Sequence, residues 1–199
     1  MWTEASALFE AMRAELRRQG TLLRAEVARA DLSYCWYQQG VVHLSLPDPR
    51  EAGGRLRYTL LGALLGLEAD ELAELTTALL PRIVAHEIGH ALRDEQGMAS
   101  ADPVVEEQGA DAIAGPLSAP WLDPAAMPRV KALLHRSVAH TGMLPCAAAL
   151  HRDPAARRRA PPPDPALRDL VVRRFRAGPP AHFRERLLVQ HAWTWLDLT

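Results

Sequence analysis

The stretch Pro81-Arg82-Ile83-Val84-Ala85-His86-Glu87-Ile88-Gly89-His90-Ala91-Leu92-Arg93-Asp94-Glu95-Gln96-Gly97 decides how the rest of the chain is read. Pro81 suits the first turn of a helix and Gly97 its C-terminal stop, so a helix is expected over about residues 81–95. Val84, Ala85, Ile88, Ala91 and Leu92 give that helix an apolar side. His86 and His90 are four residues apart and therefore share one face, with Cβ atoms about 5–6 Å apart. Both rings can then reach one ion at Zn–N distances of about 2.0–2.1 Å. Glu87, one residue from His86, is poorly placed to be a ligand but well placed to act as general base on water at the metal, as in an H-E-x-x-H zinc peptidase. Gly89 costs about 1 kcal/mol relative to alanine inside a helix, which points to close backbone approach at this position.

A catalytic zinc takes three protein ligands and keeps a fourth position open. Candidates for the third ligand lie just downstream. Asp102-Pro103 reads as a helix cap followed by a first-turn proline, and Gly115-Pro116 as the end of that helix. The short connection after Gly97 makes the two helices antiparallel neighbours. Glu106, Glu107 and Asp111 all lie on the second helix. Glu106 is turned by about 100° from Glu107, whereas Asp111 shares the face of Glu107 but has the shorter side chain. Glu107 is the better-placed ligand, with Asp111 accepting the second N–H of a histidine ring. The opposite assignment, with Asp111 as the ligand, stays open on spacing alone.

Upstream, Leu8, Phe9, Met12 and Leu16 recur at helical spacing over residues 3–19, before Gly20. Leu32–Tyr37, the turn Gln38-Gln39-Gly40 and the alternating Val41–Leu46 read as a β-hairpin stopped by Pro47. Leu56–Leu67 and Asp70–Leu80 read as helices interrupted near Gly66. Asp123-Pro124 opens another helix, expected to run through about His140 to a stop at Gly142. The charged, proline-rich Arg157–Pro163 reads as a linker to short helices near 166–176 and 181–196. The expected fold class is α+β and predominantly helical, with a small N-terminal β-hairpin or sheet packed on the active-site helix. A domain over 1–156 and a proline-linked basic helical extension over 157–199 are expected.

No apolar run approaches the roughly 20 residues of a membrane span, and the N-terminus lacks the layout of a secretory signal. The expected compartment is the cytoplasm. Cys35 and Cys146 form no C-x-x-C pair and read as small apolar residues. Residues 129–199 are basic while the preceding part is acidic. We read the basic part as a solvated face, so no nucleic-acid or membrane partner is expected. The oligomeric state has no signature.

The residues from about 32 to 120 resemble the gluzincin metallopeptidases, and most closely the ImmA/IrrE type. The resemblance rests on His86-Glu87-Ile88-Gly89-His90 and on Glu107, Ala110, Asp111, Ile113, Ala114, Leu117 and Pro120 in that order. It implies a zincin-like fold, with Zn2+ held by His86, His90 and Glu107 and with Glu87 as the base. It also implies a protein or peptide substrate, such as a transcriptional repressor, aligned on Val41–Leu46 as a sheet edge. The helical segment 55–80 is longer than this family usually carries, Gly115-Pro116-Leu117 is an unusual ending, and residues 125–199 match no family pattern. Enzymes of this kind often add a tyrosine or histidine that binds the oxyanion; Tyr34, Tyr37 and Tyr58 all precede the motif, which leaves His135, His140, His151, His182 and His191 as candidates. Two other readings use the same residues: a catalytically inactive zinc-binding regulatory protein of the same fold, and a helical interaction module in which the motif is accidental.

Overall fold

Gly20 and Gly97, two of the expected helix stops, act through the same device. Both have positive φ, of 83° and 68°. Beyond each, the next N–H closes on a carbonyl five residues back, Thr21 on Leu16 at 2.8 Å and Met98 on Arg93 at 2.7 Å. With the glycine N–H groups bonded to Arg17 and Asp94, these are Schellman caps. The structure is a computed structural model that describes residues 1–30, 35–140, 169, 172–173, 176 and 183–198.

In chain order the elements are α1 (Trp2–Arg18), β1 (Glu26–Arg29), β2 (Trp36–Gln38), β3 (Val41–Leu44), α2 (Ala52–Leu65), α3 (Ala69–Ala78), α4 (Leu80–Glu95) and α5 (Pro103–Ser118). A 3-10 turn (Ala119–Trp121), α6 (Met127–His140) and α7 (Phe183–Leu198) follow. The fold is predominantly helical with a small three-stranded sheet. The chain forms two compact units, Met1–Arg55 with Thr76–Asp123, and Leu56–Leu75 with Pro124–Thr199. The expected linker, the boundary at 156/157, Cys146, the stop at Gly142 and most of the helix near 166–176 lie outside the described residues. No helix among the described residues is long and apolar enough to cross a membrane.

In the first unit the core gathers between α1, the sheet and α4. Ala5, Phe9, Met12 and Leu16 line one face of α1 and are buried, as are Val84, Ala85, Ile88, Ala91 and Leu92 of α4. Burying side chains the size of Phe9, Met12 or Ile88 contributes about 1.5–3 kcal/mol each relative to exposure. Val42 and Leu44 alternate inward from β3 into the same cluster.

The hairpin forms as expected, with β2 antiparallel to β3. Gln39 and Gly40 both have positive φ, at 48° and 81°, the combination a two-residue type I′ turn requires. Two expectations are corrected. A further strand, β1, pairs in parallel with β3, so the order is β1-β3-β2 and Val41–Leu44 is the centre of the sheet rather than an edge. Its backbone groups are therefore already taken on both sides. What anchors β1 is remote in sequence: the Glu95 carboxylate accepts the N–H groups of Arg24 and Ala25 at 2.8–3.0 Å.

The second correction concerns α5, which does not end at Gly115-Pro116 but continues to Ser118 with Pro116 inside it. Proline removes one N–H from the last turn. Leu117 and Ser118 are nevertheless buried, and the Ser118 hydroxyl donates to the Ala114 carbonyl at 2.7 Å. Packing of that turn outweighs the missing bond.

In the second unit, Val130, Leu133, Leu134, Ser137 and Val138 are buried on α6, which packs against α7. Trp195 of α7 is 1% exposed, its ring centroid 6.1 Å from that of His135. Arg129 donates to Glu71 at 3.3 Å, and Arg136 pairs with the same carboxylate, tying α6 to α3.

Candidate metal centre

The apolar side of α4 is consumed by the core, which leaves His86 and His90 on the face turned toward α5. Their ring planes meet edge to face at 86°, and the two Nε2 atoms are 3.1 Å apart. Asp102 caps α5 by accepting the Val104 N–H at 2.9 Å, so the helix starts where expected. From α5, Glu107 brings Oε2 to 3.1 Å from His86 Nε2 and Oε1 to 3.9 Å from His90 Nε2.

Small residues let the helices come this close. A Cβ on Gly89 would lie 2.6 Å from the Ala110 carbonyl oxygen and 2.9 Å from its Cα, and Ala110 and Ala114 are fully buried. The glycine inside α4 thus marks the helix crossing. Contacts run from Arg93 with Glu106, through Gly89 with Ala110, to Arg82 with Asp111, so α4 and α5 are antiparallel.

The outer ring nitrogens are also engaged. His86 Nδ1 lies 2.8 Å from Asp111 Oδ1, and His90 Nδ1 lies 3.0 Å from Glu106 Oε1. A carboxylate only accepts, so each pairing assigns the proton to Nδ1 and leaves the Nε2 lone pair facing inward. Two imidazole lone pairs and a carboxylate then converge. Acceptors repel one another at this range unless a cation or proton lies among them. In tetrahedral coordination at about 2.0–2.1 Å, neighbouring donors sit about 3.3 Å apart. The separations of 3.1, 3.1 and 3.9 Å bracket that value. Among the described residues, His86, His90 and Glu107 form a group that could hold a metal ion.

The electrostatics agree with this. Burial pushes the His86 imidazolium toward losing its proton, but the carboxylates of Asp111 and Glu107 and the charge of Glu87 outweigh it and hold the ring well above the usual range. Glu87 is 7% exposed. Its burial raises the carboxyl above the ordinary range, helped by Glu107 and opposed by the two histidines. Burial also lifts Glu106, but its bonds to His90, the Ser100 N–H and Arg93 bring it below the usual value. Cys35 lies near enough to feel Glu87, and burial together with that charge pushes its thiol up to about 12.

The expected residues thus divide cleanly. His86, His90 and Glu107 meet, Glu87 is buried beside them, and Asp111 holds the first histidine. Glu106 was expected to turn away, and it does turn from Glu107, but that turn carries it to the second histidine. Arg82 and Arg93 had no expected role. Arg82 donates to Asp111 at 3.3 Å and Arg93 to Glu106 at 3.1 Å. The one sequence signal for them was their position on α4, four residues before His86 and three after His90. Of the tyrosines set aside for the oxyanion role, Tyr37 donates its hydroxyl to Asp94 at 2.6 Å. Tyr58, His135, His140 and His191 belong to the second unit, while Tyr34, His151 and His182 lie outside the described residues. The chain matches no protein-family model, no curated protein and no solved structure in the comparisons made.

Proposed function

We propose that the chain is a zinc-dependent metallopeptidase with a zincin-like active-site region, hydrolysing peptide bonds in a protein or peptide substrate. One observation carries the reading: three side chains that could hold a metal ion converge from α4 and α5, with a buried carboxylate, Glu87, beside the two histidines on α4. The resemblance to gluzincins of the ImmA/IrrE type points the same way and suggests a regulatory protein, such as a transcriptional repressor, as substrate.

In this reading His86, His90 and Glu107 hold the ion, while Asp111 and Glu106 fix the two rings in the tautomer that offers Nε2. Bound zinc supplies Lewis-acid polarisation and acidifies water. Glu87 takes the proton from the attacking water and returns it to the leaving amine nitrogen as the C–N bond breaks. Its burial keeps competing bulk water from solvating the carboxylate. The substrate backbone would pair with β2, an outer strand of the sheet that packs against α4, since β3 is already paired on both sides.

The test is metal analysis of the purified chain together with cleavage of peptide and protein substrates, with and without chelator. We expect about one zinc per chain and chelator-sensitive cleavage. Glu87→Gln should keep zinc and lose turnover. Absence of bound metal and of zinc uptake would sink the proposal. A chain that holds zinc but cleaves nothing points instead to a metal-binding regulatory protein.

A further inference from the structure

We infer that Arg82 and Arg93 are positioning residues for the metal centre, each acting through a carboxylate on one of the two histidines. The inference rests on the zinc-site reading and deepens it. It is carried by two chains of contacts that leave α4 in opposite directions, cross to α5 and return.

At one end Arg82 Nη2 donates to Asp111 Oδ1 at 3.3 Å, and the same oxygen faces His86 Nδ1 at 2.8 Å. At the other, Arg93 donates from Nε to Glu106 Oε2 at 3.1 Å, with Nη2 ion-paired to the same oxygen at 3.1 Å, while Oε1 of that carboxylate faces His90 Nδ1 at 3.0 Å. Arg93 Nη2 also donates to the Met98 carbonyl at 2.7 Å, and the Ser100 N–H reaches Glu106 Oε2 at 2.8 Å. Glu106 is therefore held on both oxygens. A planar guanidinium with a fixed fork suits this task, because it fixes a carboxylate in orientation as well as in charge.

These are not loose surface pairs. The four side chains are only 10–19% exposed. An arginine is rarely buried to this extent unless it is paired. The backbone of α5 is also cut away where each guanidinium lies. A Cβ on Gly115 would come within 3.1 Å of Arg82 Nη1, and one on Gly109 would collide with the Arg93 guanidinium. Two glycines inside a helix, each costing about 1 kcal/mol relative to alanine, thus coincide with the two arginines.

Charge supplies a second argument. Glu87, Glu106, Glu107 and Asp111 bring four carboxylates to one small region. The two guanidinia offset Glu106 and Asp111, the pair that face Nδ1, and leave Glu87 and Glu107 to face a doubly charged cation. The arginines thereby separate carboxylates that orient rings from carboxylates that meet the ion and its water.

The experiment is a double-mutant cycle read as zinc affinity of the full chain, by competition with a chromogenic chelator. Its members are wild type, Arg93→Met, Glu106→Gln and the double variant, each with a thermal melt of the metal-free form. If Arg93 acts through Glu106, Arg93→Met weakens zinc binding by about 10-fold, the lower end of the range for outer partners of a ligand. It then has no further effect once Glu106 is Gln. Arg93→Lys, which keeps the charge without the fork, should recover part of the loss. If Arg93→Met does not fold, Arg93→Lys takes its place in the cycle, with a smaller but equally non-additive loss. Equal losses in both backgrounds, or unchanged affinity in a folded variant, overturn the inference while leaving the zinc site intact. A wild-type chain that takes up no zinc overturns both.

Discussion

A Cβ built on Gly89 would stand 2.6 Å from the carbonyl oxygen of Ala110, so α4 and α5 meet backbone to backbone one residue from His90. Gly89→Ala must push α5 away or bend α4. Overpacking of this kind costs about 1–3 kcal/mol, offset in part by about 1 kcal/mol from the better helix propensity of alanine. The same displacement withdraws Glu107 from the two rings. Urea unfolding of the metal-free variant should show a net loss of stability, and zinc titration a weaker site. A variant as stable as wild type with unchanged zinc affinity would disprove the tight crossing.

Glu107 and Asp111 touch opposite sides of the same ring, Glu107 at His86 Nε2 and Asp111 at Nδ1. Their substitutions should separate by size. Glu107→Ala removes a ligand and should largely abolish zinc binding. Asp111→Ala removes the acceptor behind the ring and should weaken binding by about 10–100-fold. It also strips the mostly buried Arg82 of a partner, so the metal-free form should melt at lower temperature as well. The reverse order in a zinc titration would make Asp111 the ligand.

Glu71 offers a pH test in the second unit. Its hydrogen bond with Arg136, with help from the Glu68 N–H and the charge of Arg129, holds the carboxyl down at about 2 against an ordinary value of 4.5. The folded pKa lies below the unfolded one, so the stabilisation is complete above about 4.5 and is lost as pH falls through about 2. Glu71→Gln should therefore be less stable than wild type at neutral pH. Urea unfolding should show that gap closing on acidification toward pH 2. A gap independent of pH would mean that the carboxylate charge contributes nothing.

Much of the candidate site was legible because helices encode their own geometry. The four-residue spacing of His86 and His90, the glycine at 97, the Asp102 cap and the shared face of Glu107 and Asp111 all follow from 3.6 residues per turn and from which backbone groups a helix end leaves unpaired. The hairpin was equally readable, since Gln39-Gly40 supplies the positive φ angles its turn requires. Even the reason for Gly89 could be stated in advance, though not its partner.

What stayed hidden depends on partners far away in the chain. Nothing local distinguishes Glu26–Arg29 as a strand; Glu95 makes it possible by accepting two N–H groups some 70 residues upstream, and β3 becomes central only once β1 is in place. Pro116 marks a helix end by its own chemistry, yet burial of Leu117 and Ser118 carries α5 past it. Glu106 shows the division most clearly. Its 100° turn from Glu107 followed from helix geometry alone, but the ring waiting in that direction did not. By itself the sequence determined which side chains share a face, because that is a property of one helix. Only the tertiary structure decided what each face meets, because an antiparallel crossing sets His90 opposite Glu106 and His86 opposite Asp111, and no periodicity within either helix contains that register.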